Sequence, residues 1–421
     1  MIVIRKSHYV IMLAVLILVV AVAAMGNRAE RKPAVGGEEP KSAESSASRE
    51  SELSQLESAI DETADGDMVG VWIPYMSLTS DGTEGGFKEN FTSKLDVARR
   101  IGATAVFVHV RPFADSMYPS EYEPWSHVLT GVQGEDPGYD PLEFMINAVH
   151  EAGMEFHAWV NPLRIASSST PTELSENSFY IQNRDAYPYY FMEYDGMIYY
   201  NPACTVIRER IADSVAEIAE KYDVDGIHFD DYFYPAEDES LDSTMYTAYV
   251  NNSSEPLALH EWRTANINAL IASVYRKIKQ VNTDVVFGIS PQGNLSNNEK
   301  INADIYTWCT QKGYIDYICP QLYYSFENPA LPFETALNSW LSIPRRDDID
   351  MYIGLAVYKA GTDADNGTWQ STSDTIARQI KLSIESGSRG VLLYAVDHLE
   401  SDTAAAEMAN AQVEINGFLK N

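Results

Sequence analysis

A short acidic and aromatic segment, Asp225 to Pro235, contains the residue types best suited to acid–base chemistry. Within it, His228 precedes Asp230 by two positions, and Asp231 follows directly. Side chains alternate along a strand, so His228 and Asp230 share one face if the segment is extended. Acids within an aromatic run are costly to bury unless they are paired or used. We therefore predict that Asp230 is catalytic and that Asp231 supports it in the same site.

Polar side chains also stand at the ends of several other apolar runs. In chain order they are His109 and Arg111, Asn161 and Arg164, Gln321 and Tyr323, and Lys359. The carboxyl ends of the strands in a parallel barrel meet at one rim, and that rim carries the active site. If the runs are such strands, these side chains converge around Asp230. We predict that they bind the substrate together with His228.

Cleavage of a glycosidic bond usually requires two carboxyl groups, one to protonate the leaving oxygen and one to attack or to activate water. Asp230 supplies one, and because neighbours on a strand diverge, its partner is expected in another loop. The candidates are Asp115, Glu327, Asp363 and Asp397. We favour Asp115, which closely follows Arg111 near the expected rim. The charge of Arg111 would keep Asp115 ionised, which suits a base or nucleophile better than an acid. The identity of the general acid therefore stays open.

From residue 67 onward, β-rich apolar runs alternate with segments of helical periodicity. The predicted strands are Val69–Pro74, Thr104–Arg111, Glu155–Asn161, Val224–Asp230, Asp284–Ser290, Ile315–Gln321, Met351–Val357 and Gly390–Val396. This alternation predicts an α/β protein with a parallel (β/α)8 barrel, the TIM barrel. Long strand-to-helix loops follow Arg111, Asn161 and Asp230. They are rich in aromatic residues, which suit stacking on sugar rings, and they all lie at one rim of the barrel.

The composition excludes several other classes of protein. The chain of 421 residues has a formal net charge of −31, whereas a nucleic-acid binder needs a basic face. Hydrophobic residues make up 45% of the chain, too many for a disordered protein. Its three cysteines cannot form a disulfide framework, and none stands in a C-x-x-C pair. We predict no cofactor, no metal and no nucleic-acid partner.

The amino terminus has the order of an export signal, because basic residues precede an apolar run over residues 9–25 that ends in small residues. We predict a signal peptide or signal-anchor over 1–26 and a disordered linker over 27–66, which is dominated by Ser, Glu and Ala. The barrel domain is expected over 67–421. The bulk of the chain would then be extracytoplasmic, either secreted or tethered to the membrane through residues 9–25.

Several blocks of sequence resemble the glycosyl-hydrolase-like family 10 of barrel proteins, whose members include bacterial enzymes that act on peptidoglycan glycan strands. The blocks are His109–Pro112 with Asp115, Pro124–Ser126, Gly138–Leu142, His157–Pro162, Asp225–Pro235, Gly288–Pro291, Asp316–Tyr323 and Tyr352–Gly354. The resemblance implies a (β/α)8 fold and glycosidase-type chemistry. It matches Asp230 to the fourth-strand aspartate expected to be catalytic. One departure is Phe113-Ala114 before Asp115, where a small, glycine-containing turn is more usual.

These observations favour an exported glycoside hydrolase that cleaves a bacterial cell-wall polysaccharide, with peptidoglycan glycan strands as the expected substrate. Asp230 would be the nucleophile or charge stabiliser, and Asp115 the proton donor. An acetamido group on the substrate could itself act as nucleophile, which would reduce the need for a second enzyme carboxylate.

Two other functions stay open, and a third is excluded by the sequence. A non-catalytic glycan-binding barrel needs aromatic and basic residues, but not Asp230 at the mouth. A metal-dependent polysaccharide deacetylase is the second alternative, although the sequence has no close histidine pair. Its ligands would be His109, His228, Asp230 and Asp231. A chitinase-like enzyme has the pattern D-G-x-D-x-D-x-E on its fourth strand, whereas His228 and Tyr232 replace two of those acids here, which excludes that family.

Overall fold

The structure is a computed structural model and describes residues 67–171 and 173–419. The predicted signal or anchor segment (1–26) and the predicted linker (27–66) lie outside the described residues. Among the helices that are described, none is both long and apolar enough to cross a membrane.

Eleven strands are present in the part of the chain that the structure describes. They are β1 (Met68–Ile73), β2 (Ala105–Arg111), β3 (Glu155–Val160), β4 (Arg164–Ala166), β5 (Phe191–Tyr194), β6 (Met197–Tyr200), β7 (Gly226–Phe229), β8 (Val286–Ile289), β9 (Tyr317–Ile318), β10 (Asp350–Ala356) and β11 (Gly390–Tyr394). A closed barrel contains β1, β2, β3, β7, β8, β9, β10 and β11 in that order, and β11 pairs with β1. All neighbours in the barrel run parallel, so the predicted TIM-type barrel is confirmed.

Helices connect the strands and cover the outside of the barrel. They are α1 (Glu84–Arg100), α2 (His127–Thr130), α3 (Pro141–Glu151), α4 (Phe179–Asn183), α5 (Thr205–Lys221), α6 (Ser243–Asn252), α7 (Leu259–Val281), α8 (Leu295–Lys300), α9 (Ile305–Thr310), α10 (Phe333–Leu341), α11 (Ala364–Gly367), α12 (Thr375–Glu385) and α13 (Ala405–Phe418). Local sequence sets their ends. The Asp140 side chain, for example, caps α3 by accepting from the backbone N–H groups of Leu142 and Glu143.

Six of the eight barrel strands are shorter than the apolar runs that predicted them, and the ends of two of the six, β7 and β9, matter for the site. β7 comprises only Gly226–Phe229, and β9 only Tyr317–Ile318. The regular ladder of β9 stops before Pro320, because proline has no backbone N–H to donate. Because both strands end early, Asp230 lies directly after β7 and Gln321 lies three residues after β9, at the carboxyl rim, where a side chain can face a ligand.

Large aromatic side chains fill the inside of the barrel. Trp72, Phe107, Trp159 and Tyr317 belong to one buried cluster, distinct from the larger apolar core between strands and helices. Gly288 on β8 leaves room for this cluster, since a Cβ atom there would lie 2.2 Å from the Tyr317 ring. The interior is therefore packed, and contact with a ligand is confined to the rim.

A small antiparallel sheet in the long connection between β3 and β7 was not predicted. β4, β6 and β5 form it in that order. These strands have only 3, 4 and 4 residues, too few for an alternating pattern to emerge from an aromatic-rich segment. The sheet begins with Arg164, so it fixes the backbone of a basic residue that was predicted to bind substrate.

Candidate active site

Asp230 lies immediately after β7, and neutral groups donate hydrogen bonds to its carboxyl. Oδ2 accepts from Trp159 Nε1 at 3.0 Å and from Asn161 Nδ2 at 3.2 Å. Oδ1 accepts from the backbone N–H of Tyr232 at 3.3 Å. Burial, followed by the charge of Asp231, raises the pKa of Asp230 to about 7. The carboxyl therefore gains and loses its proton near neutral pH, as a general acid or base must.

The neighbouring Asp231 is fixed by Gln321. Gln321 Nε2 donates to Asp231 Oδ1 at 3.2 Å and to the carbonyl oxygen of Ser290 at 2.9 Å. Burial raises the pKa of Asp231, and the hydrogen bond from Gln321 opposes that rise. Two adjacent carboxylates repel each other, so Asp230 and Asp231 together favour a state that keeps one proton.

Arg164 is a basic residue that the structure brings to this carboxyl pair. Its Nε donates to the carbonyl oxygen of Pro112 at 3.1 Å. Its guanidinium carbon lies 4.7 Å from the ring centroid of Phe113 and 4.9 Å from that of Tyr232. The positive charge opposes the rise in the pKa of Asp230. Arg164 is thus anchored beside the carboxyls with part of its charge available to them.

Tyrosines surround the carboxyl pair. Tyr232 is 47% exposed and Tyr358 is 37% exposed. The ring centroid of Tyr323 lies 5.9 Å from that of Tyr358 and 5.9 Å from that of Tyr394. Burial, then the charges of Tyr358 and Asp230, raise the pKa of Tyr394 to about 12, so this phenol stays protonated. Exposed aromatic faces beside an acid pair suit the binding of a ring that has one apolar face.

Lys359 contacts both its own loop and the loop after β9. Its Nζ donates to the carbonyl oxygen of Tyr323 at 2.8 Å and lies 3.2 Å from Asp365 Oδ1. Much of its charge is therefore satisfied by Asp365. Substrate binding by Lys359 and by Tyr323 stays a prediction.

His109 and His228 lie within the barrel, in register with Trp159 on the strand between them. Trp72 Nε1 donates to His228 Nε2 at 3.2 Å, and the Tyr317 hydroxyl lies 2.9 Å from His228 Nδ1. Burial lowers the pKa of both histidines well below the usual value, so both are neutral. Both side chains are buried beneath the rim, and their predicted role in binding stays a prediction.

Arg111 and Asp115 are both buried, and each has a different ionisable partner. Arg111 Nη2 lies 3.0 Å from Glu123 Oε1, and Arg210 Nη2 lies 3.3 Å from Glu123 Oε2. Asp115 Oδ2 lies 3.3 Å from His127 Nδ1. We expected Arg111 to act on Asp115, but its ion pair is with Glu123, because the loop after β2 folds back. Asp115 is fully buried, and its role as proton donor stays a prediction.

The other candidate acids occupy different surroundings. Glu327 and Asp363 are exposed loop residues. The carboxylate of Asp397 accepts hydrogen bonds from Ser77 Oγ and Lys94 Nζ. Asp230 and Asp231 therefore have the surroundings best suited to acid–base chemistry among the acids considered.

Sequence reasoning missed two side chains of the site. Trp159 donates to Asp230, and Tyr394 ends β11 beside Tyr323. The signal for Trp159 was present, because it precedes Asn161 by two positions and side chains two apart share a face. The signal for Tyr394 was its place at the end of the eighth barrel strand.

A metal site would need several ligating side chains close together. Across residues 67–171 and 173–419, no group of three or more His, Cys, Asp or Glu side chains is arranged to hold a metal ion. The ring nitrogens of His228, one of the ligands proposed for a deacetylase, already contact Trp72 and Tyr317. The described residues therefore do not fit the proposed four-ligand site.

Solved structures share the barrel architecture. The catalytic domain of β-amylase from Paenibacillus polymyxa aligns with a TM-score of 0.56 at 11% identity, covering 85% of this chain and 100% of that domain. The PgaB glycoside hydrolase domain from Bordetella bronchiseptica aligns with a TM-score of 0.51 at 12% identity, covering 81% of this chain and 98% of that domain. At such low identities the likeness concerns the fold alone.

Sequence relatives are closer. Glycosyl hydrolase YngK of Bacillus subtilis is 35% identical over 316 residues, which are 70% of this chain and 60% of that protein. Glycosyl hydrolase DigH of Escherichia coli K12 is 33% identical over 294 residues, 64% of this chain and 65% of that protein. The match thus spans less than two thirds of either relative. The family model described as glycosyl hydrolase-like 10 matches residues 67–371. On this match, the chain belongs to the glycosyl hydrolase-like 10 family.

Proposed function

We propose that the protein is a glycoside hydrolase that cleaves a bacterial cell-wall polysaccharide, with peptidoglycan glycan strands as the substrate. The observation that carries the proposal is the carboxyl of Asp230, buried at the barrel rim beside Asp231 with a pKa of about 7. Membership of a glycosyl hydrolase-like family supports it. So do the names of the relatives, YngK and DigH, which are both called glycosyl hydrolases.

In this proposal Asp230 is the general acid. Its raised pKa favours this role over that of nucleophile, which the sequence alone had favoured, because a nucleophilic carboxylate must be ionised. The Asp230 proton passes to the glycosidic oxygen as the bond from that oxygen to C1 breaks. Asp231, held by Gln321, stabilises the positive charge that develops at C1.

The attacking group in the proposal is water or the acetamido oxygen of the substrate. A sugar with an N-acetyl group can attack its own C1 through that oxygen, and water then opens the ring that forms. Either route returns one proton from water to Asp230. The acetamido route needs no further enzyme carboxylate, which agrees with the full burial of Asp115.

Export belongs to the same proposal. Residues 9–25 would direct the chain out of the cytoplasm and could tether it to the membrane. The net charge of −31 repels an anionic wall at long range. Salt screens that repulsion beyond about 10 Å, so it does not oppose contact at the site.

A non-catalytic glycan-binding barrel is the second candidate function. The exposed rings of Tyr232 and Tyr358 favour it, because a binding module needs aromatic faces and no proton donor. The acid pair at the rim favours the hydrolase, since a binder has no use for a carboxyl that titrates near neutral pH.

The test compares the full-length protein with Asp230→Asn on glycan strands, intact and stripped of peptide. Products are identified by mass spectrometry, and binding is measured by co-sedimentation. Asp347→Asn is the matched control, an exposed aspartate in the helix-to-strand connection before β10. We expect shortened oligosaccharides from the wild type and Asp347→Asn, and none from Asp230→Asn. Binding without products from every variant would instead favour the glycan-binding barrel.

A further inference from the structure

The layer beneath Asp230 contains a stacked pair of rings whose role the acid chemistry does not explain. His109 on β2 and Trp159 on β3 are register partners, and their ring centroids are 3.8 Å apart with an interplanar angle of 9°. Trp159 is also the residue whose Nε1 donates to Asp230 Oδ2 at 3.0 Å. The indole therefore has one face on His109 and its N–H on the carboxyl.

The His109 ring is buried without a hydrogen bond in the described residues. It is 2% exposed, and within the described residues neither ring nitrogen has a hydrogen-bond partner. Its remaining ring contact is with Tyr75, whose centroid lies 5.5 Å away in an edge arrangement. Burial, then the positive charge of Arg164, lowers the pKa of His109, so it carries no charge beneath the carboxyl. What remains is a flat, neutral surface against Trp159.

We propose that His109 is a positioning residue. Its ring stacks on the Trp159 indole and keeps the indole N–H directed at Asp230. An indole held on one face cannot rotate its N–H away from the carboxyl without losing the stack. A donor fixed in this way stabilises the carboxylate form of Asp230 and limits how far burial raises its pKa. The inference rests on the proposed function for its catalytic meaning, though the geometry itself does not depend on turnover.

Other charged and titratable groups act on the same carboxyl. Asp231 raises the pKa of Asp230, and Arg164 lowers it. Tyr232 and Tyr394 also lie near enough for the charge of Asp230 to raise their pKa. None of these residues is substituted in the His109 variants, and the double variant with Trp159→Phe isolates the part of a shift that passes through the Trp159 hydrogen bond.

The chain offers a second stacked histidine as a control, which differs from His109 in that its Nε2 lies 3.2 Å from Glu155 Oε2. His157 is fully buried, and its ring stacks on Phe107 at 4.4 Å with an interplanar angle of 21°. Phe107 is a hydrocarbon ring without a hydrogen-bond donor, so this second stack has no polar route to Asp230. A variant at His157 loses a comparable packing contact without touching the Trp159 N–H.

The experiment titrates Asp230 in the full-length protein by carboxyl carbon-13 NMR, with Asp230→Asn to assign the signal. The variants are His109→Leu, His109→Phe, Trp159→Phe, the double variant His109→Leu/Trp159→Phe, and His157→Leu. No substrate is needed, so a protein that binds or cleaves nothing can still support the inference. Failure of the proposed function and failure of this inference are thereby distinguished.

We expect His109→Leu to raise the midpoint of Asp230 by roughly half a unit to one unit, the worth of one weakened hydrogen bond. Trp159→Phe should raise it at least as much, and the double variant no further. His109→Phe and His157→Leu should leave it unchanged. If His109→Leu does not fold, His109→Gln carries the same expectation because it also lacks a ring.

Three results would overturn the inference. The first is an unchanged midpoint in a folded His109→Leu or His109→Gln protein. The second is a further rise when His109→Leu is added to Trp159→Phe, since the two residues would then act independently. The third is a shift in His109→Phe equal to that in His109→Leu, which would assign the effect to the ring nitrogens.

Discussion

Two buried carboxyl groups near the rim of the barrel lie in opposite surroundings. Glu123 is placed between two arginines, with guanidinium nitrogens 3.0 and 3.3 Å from its oxygens. Asp230 receives its hydrogen bonds from the neutral groups of Trp159 and Asn161 and stands next to a second acid. Arginines stabilise a buried acid as an ion, whereas a second acid favours its protonated form. The difference separates a carboxyl that joins segments of the fold from one suited to moving a proton.

The largest effect expected from this comparison is on turnover. Asp230→Asn should lower the rate of glycan cleavage by about 10²- to 10⁴-fold, the usual contribution of a general acid. Stability should be unchanged or higher, because the amide has no charge to bury. Initial rates and thermal unfolding of both proteins check the two parts. An Asp230→Asn protein that cleaves glycan at the wild-type rate would remove Asp230 from the chemistry.

Glu123 should show the opposite pattern, in which the substitution lowers stability. Glu123→Gln removes the charge between Arg111 and Arg210 and leaves the buried guanidinium of Arg111 and the half-buried one of Arg210 without this counter-ion. We expect the free energy of unfolding to fall by about 3–5 kcal/mol. Urea unfolding of Glu123→Gln beside Asp230→Asn measures the contrast directly. Equal stability of the two variants would mean that the surroundings of these acids do not distinguish their roles.

A smaller effect concerns the pH dependence of stability. Burial and Asp231 raise the pKa of Asp230 to about 7 in the folded protein, whereas an aspartate in an unfolded chain has a pKa of about 3.9. The folded state therefore holds this proton more tightly. The stability that results is fully present below about pH 4 and is lost as the pH rises through about 7.

Unfolding measurements at several pH values check this sign. Across that window, the wild type should lose stability relative to Asp230→Asn, with a slope that approaches about 1.4 kcal/mol per pH unit. Above the folded pKa, the difference between the two proteins should level off. A difference that is constant from acid to neutral pH would show that Asp230 titrates alike in both states.

The barrel was predictable because its strands are apolar runs that recur with helical segments between them. Asp230 was predictable for a related reason, since it ends the run that became β7. Its partner Trp159 was not singled out, because an aromatic residue on a strand is usually part of the core. The Arg111–Glu123 pair was not predictable, because it depends on the path of a loop that no local pattern specifies.

The smallest effect expected is on substrate affinity. Tyr232, 47% exposed beside Arg164, offers a face for a sugar ring, and Tyr232→Ala should raise KM several-fold, in line with about 0.5–1.5 kcal/mol for an aromatic contact. The rate constant kcat should change little, because the ring contributes binding and no proton. Tyr306→Ala is the control, since Tyr306 is 54% exposed on α9, outside the barrel. Equal KM values for Tyr232→Ala and Tyr306→Ala would show that the ring of Tyr232 does not contribute to glycan binding.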